Sequence, residues 1–334
     1  MAGRAFALPA TSRVVMSRPP SPSGAGSPLR RWLQRNGHLV LFLAPALVLY
    51  GLFMAYPLAA SLSYSVFEWD GFVRGGFAGF DNFVTVLTQW PYNDRFWGAL
   101  RHNAVFFVLT FAIQTTLGLF VAVLLNRKWP GFGFFQAVYF LPHTLSLVVV
   151  GFLWLLLLNP TWGPIAQGLR ALQLESWVSP WLGDRSTALV TIILVNAWAW
   201  LGFPILVYLA GLQGIPREYH EAALIDGANA WQDFRFVTLP MLMPTIWMVS
   251  ILTFIWDFNA FELVFVMQGA SGSPNYATDL LATYFYRTAF GDPTTGGEPG
   301  QIGLAAAIGV LMLIIIGVAS FFGVRFSQRS QVET

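Results

Sequence analysis

The chain has 334 residues, of which 56% are hydrophobic and 10% charged, where a soluble globular protein carries roughly 25% charged residues. So few charges cannot cover a water-facing surface, so lipid is the main solvent and a pair of soluble domains is excluded. A net charge of +2 argues against nucleic-acid binding, and the absence of cysteine excludes disulfides, thiolate metal sites and cysteine nucleophiles.

Residues 1–35 are rich in Pro, Ser, Gly and Arg, with no acid in residues 1–29. They read as a disordered cytoplasmic tail, in preference to a transit peptide of similar composition. A bilayer core of about 30 Å takes roughly 20 apolar residues of helix to cross. Six stretches qualify, at 39–62, 104–125, 134–158, 188–212, 241–267 and 302–322. Pro142 and Pro204 fall inside two of them and predict kinks, which packed neighbours in a bundle tolerate. The connecting stretches 63–103, 159–187 and 268–301 hold no soluble domain, and Trp69, Trp90 and Trp97 in the first suit an interfacial aromatic belt. With both termini in the cytoplasm, 12 of the 18 basic residues fall on the inner side and 6 on the outer, the bias that orients membrane proteins. The expected fold is therefore all-α: a polytopic membrane helix bundle of six transmembrane helices over 36–326, followed by a cytoplasmic tail at 327–334.

Ionisable and polar groups inside spans are costly and face a cavity or each other. The fourth span carries Asn196, Trp198, Trp200, Gly202 and Phe203. The fifth carries Asp257, Asn259 and Glu262 within Trp256–Glu262, the most polar intramembrane stretch. The sixth has Gly303, Ala305, Ala306, Ala307 and Gly309, small residues that allow close helix packing within the chain or against a neighbour. The four histidines, His38, His102, His143 and His220, show no metal-ligand spacing.

The connection between the fourth and fifth spans, 215–240, is more than a linker. Pro216 suits a first helical position, Glu218 and Glu221 the positive end of a helix dipole, and Gly227 a left-handed terminator. Asn229 with Gln232 forms a capping pair for a second helix. Tyr219, Ala222, Ala223 and Ile225 give the first helix an apolar side, while Arg217, Glu218, Glu221 and Asp226 give it charge. Helices that rest on lipid carry Lys or Arg on the polar face. This one carries mainly acids, so a protein partner fits better than anionic headgroups.

Glu221-Ala222-Ala223, Gly227 four positions on, then Val237, Leu239 and Pro240 resemble the EAA loop of ABC-importer permeases, with Val237 in place of the usual Ile. Asp226, Ala228 and Phe234 fit the extended form of the sugar-type permeases. Phe80-Asp81-Asn82, Leu141-Pro142 and the run from Leu209 to Pro216 also look like the maltose and glycerol-phosphate permease group, and the likeness covers about 36–326. The segment Gln268 to Pro274 departs from that group, which usually shows Thr-x-Gly-Gly-Pro there.

The resemblance implies a permease subunit of an ATP-driven importer in a bacterial or archaeal inner membrane. Its implied partners are a second permease, a cytoplasmic ATPase dimer and an extracytoplasmic substrate-binding protein. Glu218, Tyr219, Glu221, Ala222, Ala223, Asp226 and Gly227 are then the ATPase-coupling residues. A phosphate-binding loop needs Gly-x-x-x-x-Gly-Lys-Ser/Thr, and the only lysine is Lys128, between Arg127 and Trp129. This chain therefore binds no nucleotide through such a loop. It is expected to be no enzyme and to hold no cofactor, with ATP and Mg on the partner ATPase. The implied substrate is a carbohydrate, whose apolar ring faces and rim of hydroxyls suit aromatic planes beside carboxamides and carboxylates. The substrate path is expected at Asn196, Trp198, Trp200, Gly202, Phe203, Asp257, Asn259 and Glu262. Two acids in that set disfavour the alternative substrate, glycerol phosphate. An ion-coupled secondary transporter working through Asp257 or Glu262 stays open, although the internal symmetry common in such proteins is not found.

Overall fold

The computed structural model describes Leu39 and residues 41–126, 131–291 and 300–332; the expected tail at 1–35 and residues 333–334 lie outside them. The chain divides into two compact units, the first ending at Pro57 and the second beginning at Leu58. Helix α1, Leu41–Tyr64, buries none of its residues and contains a π-helical turn at Gly51–Ala55. A helix apolar on every side belongs in lipid or against another chain.

A hairpin follows that the expected architecture did not include: β1, Phe67–Asp70, pairs antiparallel with β2, Val73–Phe77, in the register Trp69 to Arg74 and Asp70 to Val73. Gly71 takes φ +57° at the turn, a conformation that costs glycine little. Helix α2, Asp81–Thr88, then anchors the hairpin, because Asn82 Nδ2 donates to the carbonyls of Ser65 (2.9 Å) and Phe67 (3.0 Å).

Helix α3, Tyr92–Asn126, starts twelve residues before the expected second span. Phe96, Ala99, Asn103, Phe106, Thr110, Gln114, Gly118 and Ala122 are all buried along it. Steps of three and four residues keep them on one face, so the amphipathic early turns and the apolar later ones form one rod. Around it pack α7 (Ala188–Trp200), α8 (Gly202–Gln213), α10 (Ala230–Phe258) and α12 (Leu281–Phe290). A Cβ on Gly118 would stand 3.3 Å from Pro204, so glycine there lets α3 and α8 approach closely.

Four described helices are long and apolar enough to cross a membrane, and the number reaches six if each of two bent pairs is one span. Helix α4 (Phe132–Phe140) passes through a 3₁₀ turn at Leu141–Thr144 into α5 (Leu147–Leu157), with a bend of 96°. The second pair, α7 and α8, bends by 48°. Proline clashes with the carbonyl four residues back; for Pro204 that is Trp200, where α7 ends. Helix α6 (Pro164–Ala171) lies in the connection between the pairs, and α9 (Arg217–Ile225) between α8 and α10.

The fifth span differs from its expected course. Helix α10 runs unbroken from Ala230, taking in a π turn at Phe234–Thr238 and Pro244, and stops at Phe258. A break at residues 259–261 precedes the short α11, Glu262–Gln268. The last helix, α13 (Ile302–Val332), continues past the expected end of the span at 322 and into the expected tail at 327–334.

The stretch from α11 to α12 is tied down by polar groups. Arg287 donates to Asp279 Oδ2 (2.6 Å), Asp279 Oδ1 (3.1 Å) and the carbonyl of Ala270 (2.8 Å). His102 Nδ1 lies 3.0 Å from the Asp279 carbonyl, which can only accept, so Nδ1 carries the hydrogen. The ring of Tyr276 packs against the guanidinium groups of Arg95 (3.3 Å) and Arg287 (5.0 Å).

Candidate functional site

The break in the fifth span opens a cavity of about 220 Å³, lined by Gln114, Leu147, Asn196, Trp200, Thr253, Trp256, Asp257, Asn259, Ala260, Phe261, Glu262 and Leu263. Its position follows from how α10 ends. Asn259 Nδ2 donates to the Ile255 carbonyl (2.7 Å), a helix acceptor four residues back, and the Ala260 amide turns to the Asp257 carbonyl (3.3 Å). Asparagine competes in this way for backbone partners and ends helices.

Asp257 is only 4% exposed. Its Oδ1 accepts from Asn196 Nδ2 (3.2 Å), and its backbone carbonyl accepts from Asn103 Nδ2 (2.9 Å). Thr110 stands beside the same carboxyl, yet neither Asp257 Oδ2 nor Thr110 Oγ1 completes a hydrogen bond. Trp256, the preceding residue, stacks on Trp200 with centroids 4.9 Å apart and planes 30° apart. Phe203 meets Trp256 edge-on at 5.0 Å, and His143 meets Trp200 at 4.8 Å. One end of α10 thus presents an indole wall and a carboxyl group to the same space. Among the described residues, no lysine, arginine or histidine lines that space.

The cavity gathers Asn196, Trp200, Asp257, Asn259 and Glu262. It does not gather Trp198, which is 42% exposed and packs on Trp154. Residues two apart on a helix face nearly opposite ways, so Trp198 and Trp200 cannot both face one space. Gly202 is also absent from the lining. A Cβ there would meet the Tyr139 carbonyl at 2.6 Å and Phe140 Cα at 2.9 Å, so Gly202 seats α8 against α4. Phe203 backs the indole wall without lining the cavity. Gln114, Leu147, Thr253, Trp256, Ala260, Phe261 and Leu263 also line it and lie outside the expected set. A signal existed for two of them: Gln114 continues the polar face of Asn103 and Thr110 on α3, and Thr253 lies one turn before Asp257.

At the opposite end of α10, Pro216 proves to be the N-cap of α9 rather than its first helical residue. Gly227, at φ +79°, ends α9 in a Schellman turn. Its amide bonds the Leu224 carbonyl (3.1 Å), and the Ala228 amide bonds that of Ala223 (2.9 Å). Asn229 and Gln232 then form a reciprocal capping box at the start of α10, with bonds of 2.8 to 3.1 Å. Glu218, Tyr219, Glu221, Ala222, Asp226 and Gly227 are exposed on α9 and its turn, whereas Ala223 is half-buried. Leu224, Ile225 and Trp231 are exposed as well, Ile225 by 87%. His220 Nδ1 reaches both carboxylate oxygens of Asp233, at 2.9 and 3.0 Å.

Residues 114–332 match the family model of the binding-protein-dependent transport system inner membrane component, and the chain belongs to that family. It is 32% identical to the probable ABC transporter permease protein YurN of Bacillus subtilis (strain 168), over 88% of this chain and 97% of that one. It is 33% identical to the lactose transport system permease protein LacF of Rhizobium radiobacter, over 88% and 95%. Among solved structures, its fold matches a chain of a bacterial alginate ABC transporter, solved in complex with an alginate pentasaccharide-bound periplasmic protein. The TM-score is 0.73 at 24% identity, covering 90% of this chain and 96% of that one. The protein is thus a multi-pass permease of the ABC transporter type, a transporter rather than an enzyme, and the ion-coupled alternative falls away.

Proposed function

We propose that the chain is one permease subunit of an ATP-driven importer and that the cavity at the end of α10 is part of the passage for a carbohydrate. The observation that carries this reading is the Trp200–Trp256 wall facing the carboxyl and carboxamide groups of Asp257, Asn196 and Asn259. Indole faces suit the apolar faces of sugar rings, and the acceptors suit their hydroxyls. The relative LacF, named for lactose transport, supports the same substrate class. A lining with two acids and, among the described residues, no basic side chain favours an uncharged sugar over a phosphorylated one.

In this reading α9 docks on a cytoplasmic ATP-binding-cassette dimer through exposed Tyr219, Leu224 and Ile225. ATP and Mg are bound there, a second permease completes the passage, and an extracytoplasmic binding protein delivers the substrate. The distribution of basic residues supports an inner-membrane orientation with both termini cytoplasmic.

Co-expression with the partner ATPase and second permease tests it. The assembly is expected to copurify with the chain, and Glu221→Ala or Gly227→Val to weaken its retention of the ATPase. Asp257→Ala is expected to lower ATP-driven uptake of a neutral oligosaccharide at least about tenfold, the effect of about 1.4 kcal/mol, with assembly intact. Uptake driven by a proton gradient through the chain alone, or undiminished uptake by Asp257→Ala, would contradict the reading.

A further inference from the structure

Helix α10 is one continuous helix with Asp233 in its first turn and Asp257 in its last. Its far end therefore carries the carboxyl group and indole of the cavity, and its near end meets α9. Between α9 and α10 the backbone passes through the Schellman turn at Gly227 and the capping box of Asn229, both local to the turn. Among the described residues, the side-chain hydrogen bond that joins α9 to another helix is His220 Nδ1 to Asp233, at 2.9 and 3.0 Å. A carboxylate only accepts, so His220 Nδ1 carries the hydrogen and donates.

We infer that the His220–Asp233 bond is a transmission pin, a pair of positioning residues that makes α9 and α10 move as one piece. Displacement of the docking helix then reaches Trp256 and Asp257 instead of being absorbed in the turn. Without the bond, α9 is held to α10 by the turn and by few packing contacts, and its left-handed glycine becomes a hinge. The π turn at Phe234–Thr238 begins directly after Asp233, so the pin grips the head of the helix before its ladder of hydrogen bonds widens. This inference rests on the proposed docking of α9 to an ATPase, and its test separates the two.

The chain has no cysteine, so a single Glu262→Cys substitution at the cavity places the only thiol in this subunit. The experiment measures its maleimide-labelling rate in the assembled importer, with a cysteine-free partner set, before and after trapping with ATP and vanadate. Nucleotide is expected to change the rate severalfold when the pin is intact. In His220→Ala and in Asp233→Ala the ATPase is expected to remain bound and hydrolysing while the nucleotide response of the rate falls to less than about half, leaving a residual response to compare. The double variant is expected to be no worse than either single one, the non-additivity of two residues sharing one bond. His220→Asn places an amide N–H where Nδ1 stood and is expected to restore the response. An unchanged response in the alanine variants, an additive loss in the double variant, no rescue by Asn, or release of the ATPase by either alanine substitution would overturn the pin. Failure of any ATPase to bind the parent chain would instead overturn the docking reading.

Discussion

Asn103 is fully buried and uses both ends of its carboxamide: Nδ2 donates to the Asp257 carbonyl at the cavity, and Oδ1 accepts from the Leu281 amide at 2.8 Å. Its neighbour His102 holds the Asp279 carbonyl. Two adjacent residues of α3 therefore fix the start of α12 and the end of α10 to the same rod. The Asp279–Arg287 pair, outside the spans, is the most buried ion pair among the described residues, its side chains 2% and 13% exposed. Burial pushes the Asp279 carboxyl up, while the Arg287 guanidinium and the Thr283 hydroxyl pull it down. Arg287→Ala strands that carboxylate without a partner and is expected to cost about 3–5 kcal/mol at neutral pH. The sign of the pH dependence follows. Burial already holds the folded carboxyl above its ordinary value with the guanidinium in place, and removing the guanidinium raises it further. The deficit therefore grows as pH rises through the interval between the two folded-state values and shrinks as pH falls below it. Thermal unfolding in detergent at neutral and acidic pH checks this, with Arg287→Ala/Asp279→Ala expected to regain most of the loss. Equal deficits at both pH values would contradict the assignment.

At the scale of elements, the bundle works through its interruptions. The bend after Trp200 turns that indole toward Trp256, and it depends on Gly202 lying against the α4 backbone. Gly202→Ala places a methyl 2.6 Å from the Tyr139 carbonyl, and backbone atoms cannot step aside as a flexible side chain can. A cost of about 1–3 kcal/mol is expected from such overpacking, together with a loss of uptake because Trp200 moves with α7. Unfolding temperature and uptake measured on the same preparation check both parts, and an unaffected variant would contradict the seating of α8 on the α4 backbone through Gly202. The six apolar stretches were legible in the sequence because twenty-residue hydropathy is a local property. The two bent spans were signalled by Pro142 and Pro204. The stop at Phe258 was not, because Trp256-Asp257-Phe258-Asn259 contains neither glycine nor proline and the helix ends by a side-chain competition at Asn259. The hairpin carried a signal in Gly71, a glycine at the first position of a two-residue loop between Asp70 and Val73, but one glycine in an aromatic-rich connection is a weak mark.

Across the whole molecule, the cavity residues come from α3, α5, α7, α10 and α11 and are brought together by packing alone. Sequence reasoning reached those that were chemically conspicuous inside an apolar run, such as Asn196, Asp257 and Asn259. Trp198 and Gly202, named by residue type, lie outside the cavity lining because of helical phase and backbone contact. The same reasoning passed over Trp256 and Phe261, whose kind is common in any membrane span. The connection at 215–240 was legible in its caps and its glycine turn, because these are written in adjacent positions; the π turn at Phe234–Thr238 and the His220–Asp233 bond, thirteen residues apart in the chain, required the structure. The account predicts that force enters at α9 and acts on a sugar at the far end of α10. The most direct test is photo-crosslinking of the vanadate-trapped importer with a diazirine-bearing neutral oligosaccharide, followed by peptide mapping. Label is expected on residues 253–263 and on the 196–200 segment, and to fall sharply in Asp257→Ala. Label confined to other spans, or unchanged by that substitution, would contradict the placement of the passage.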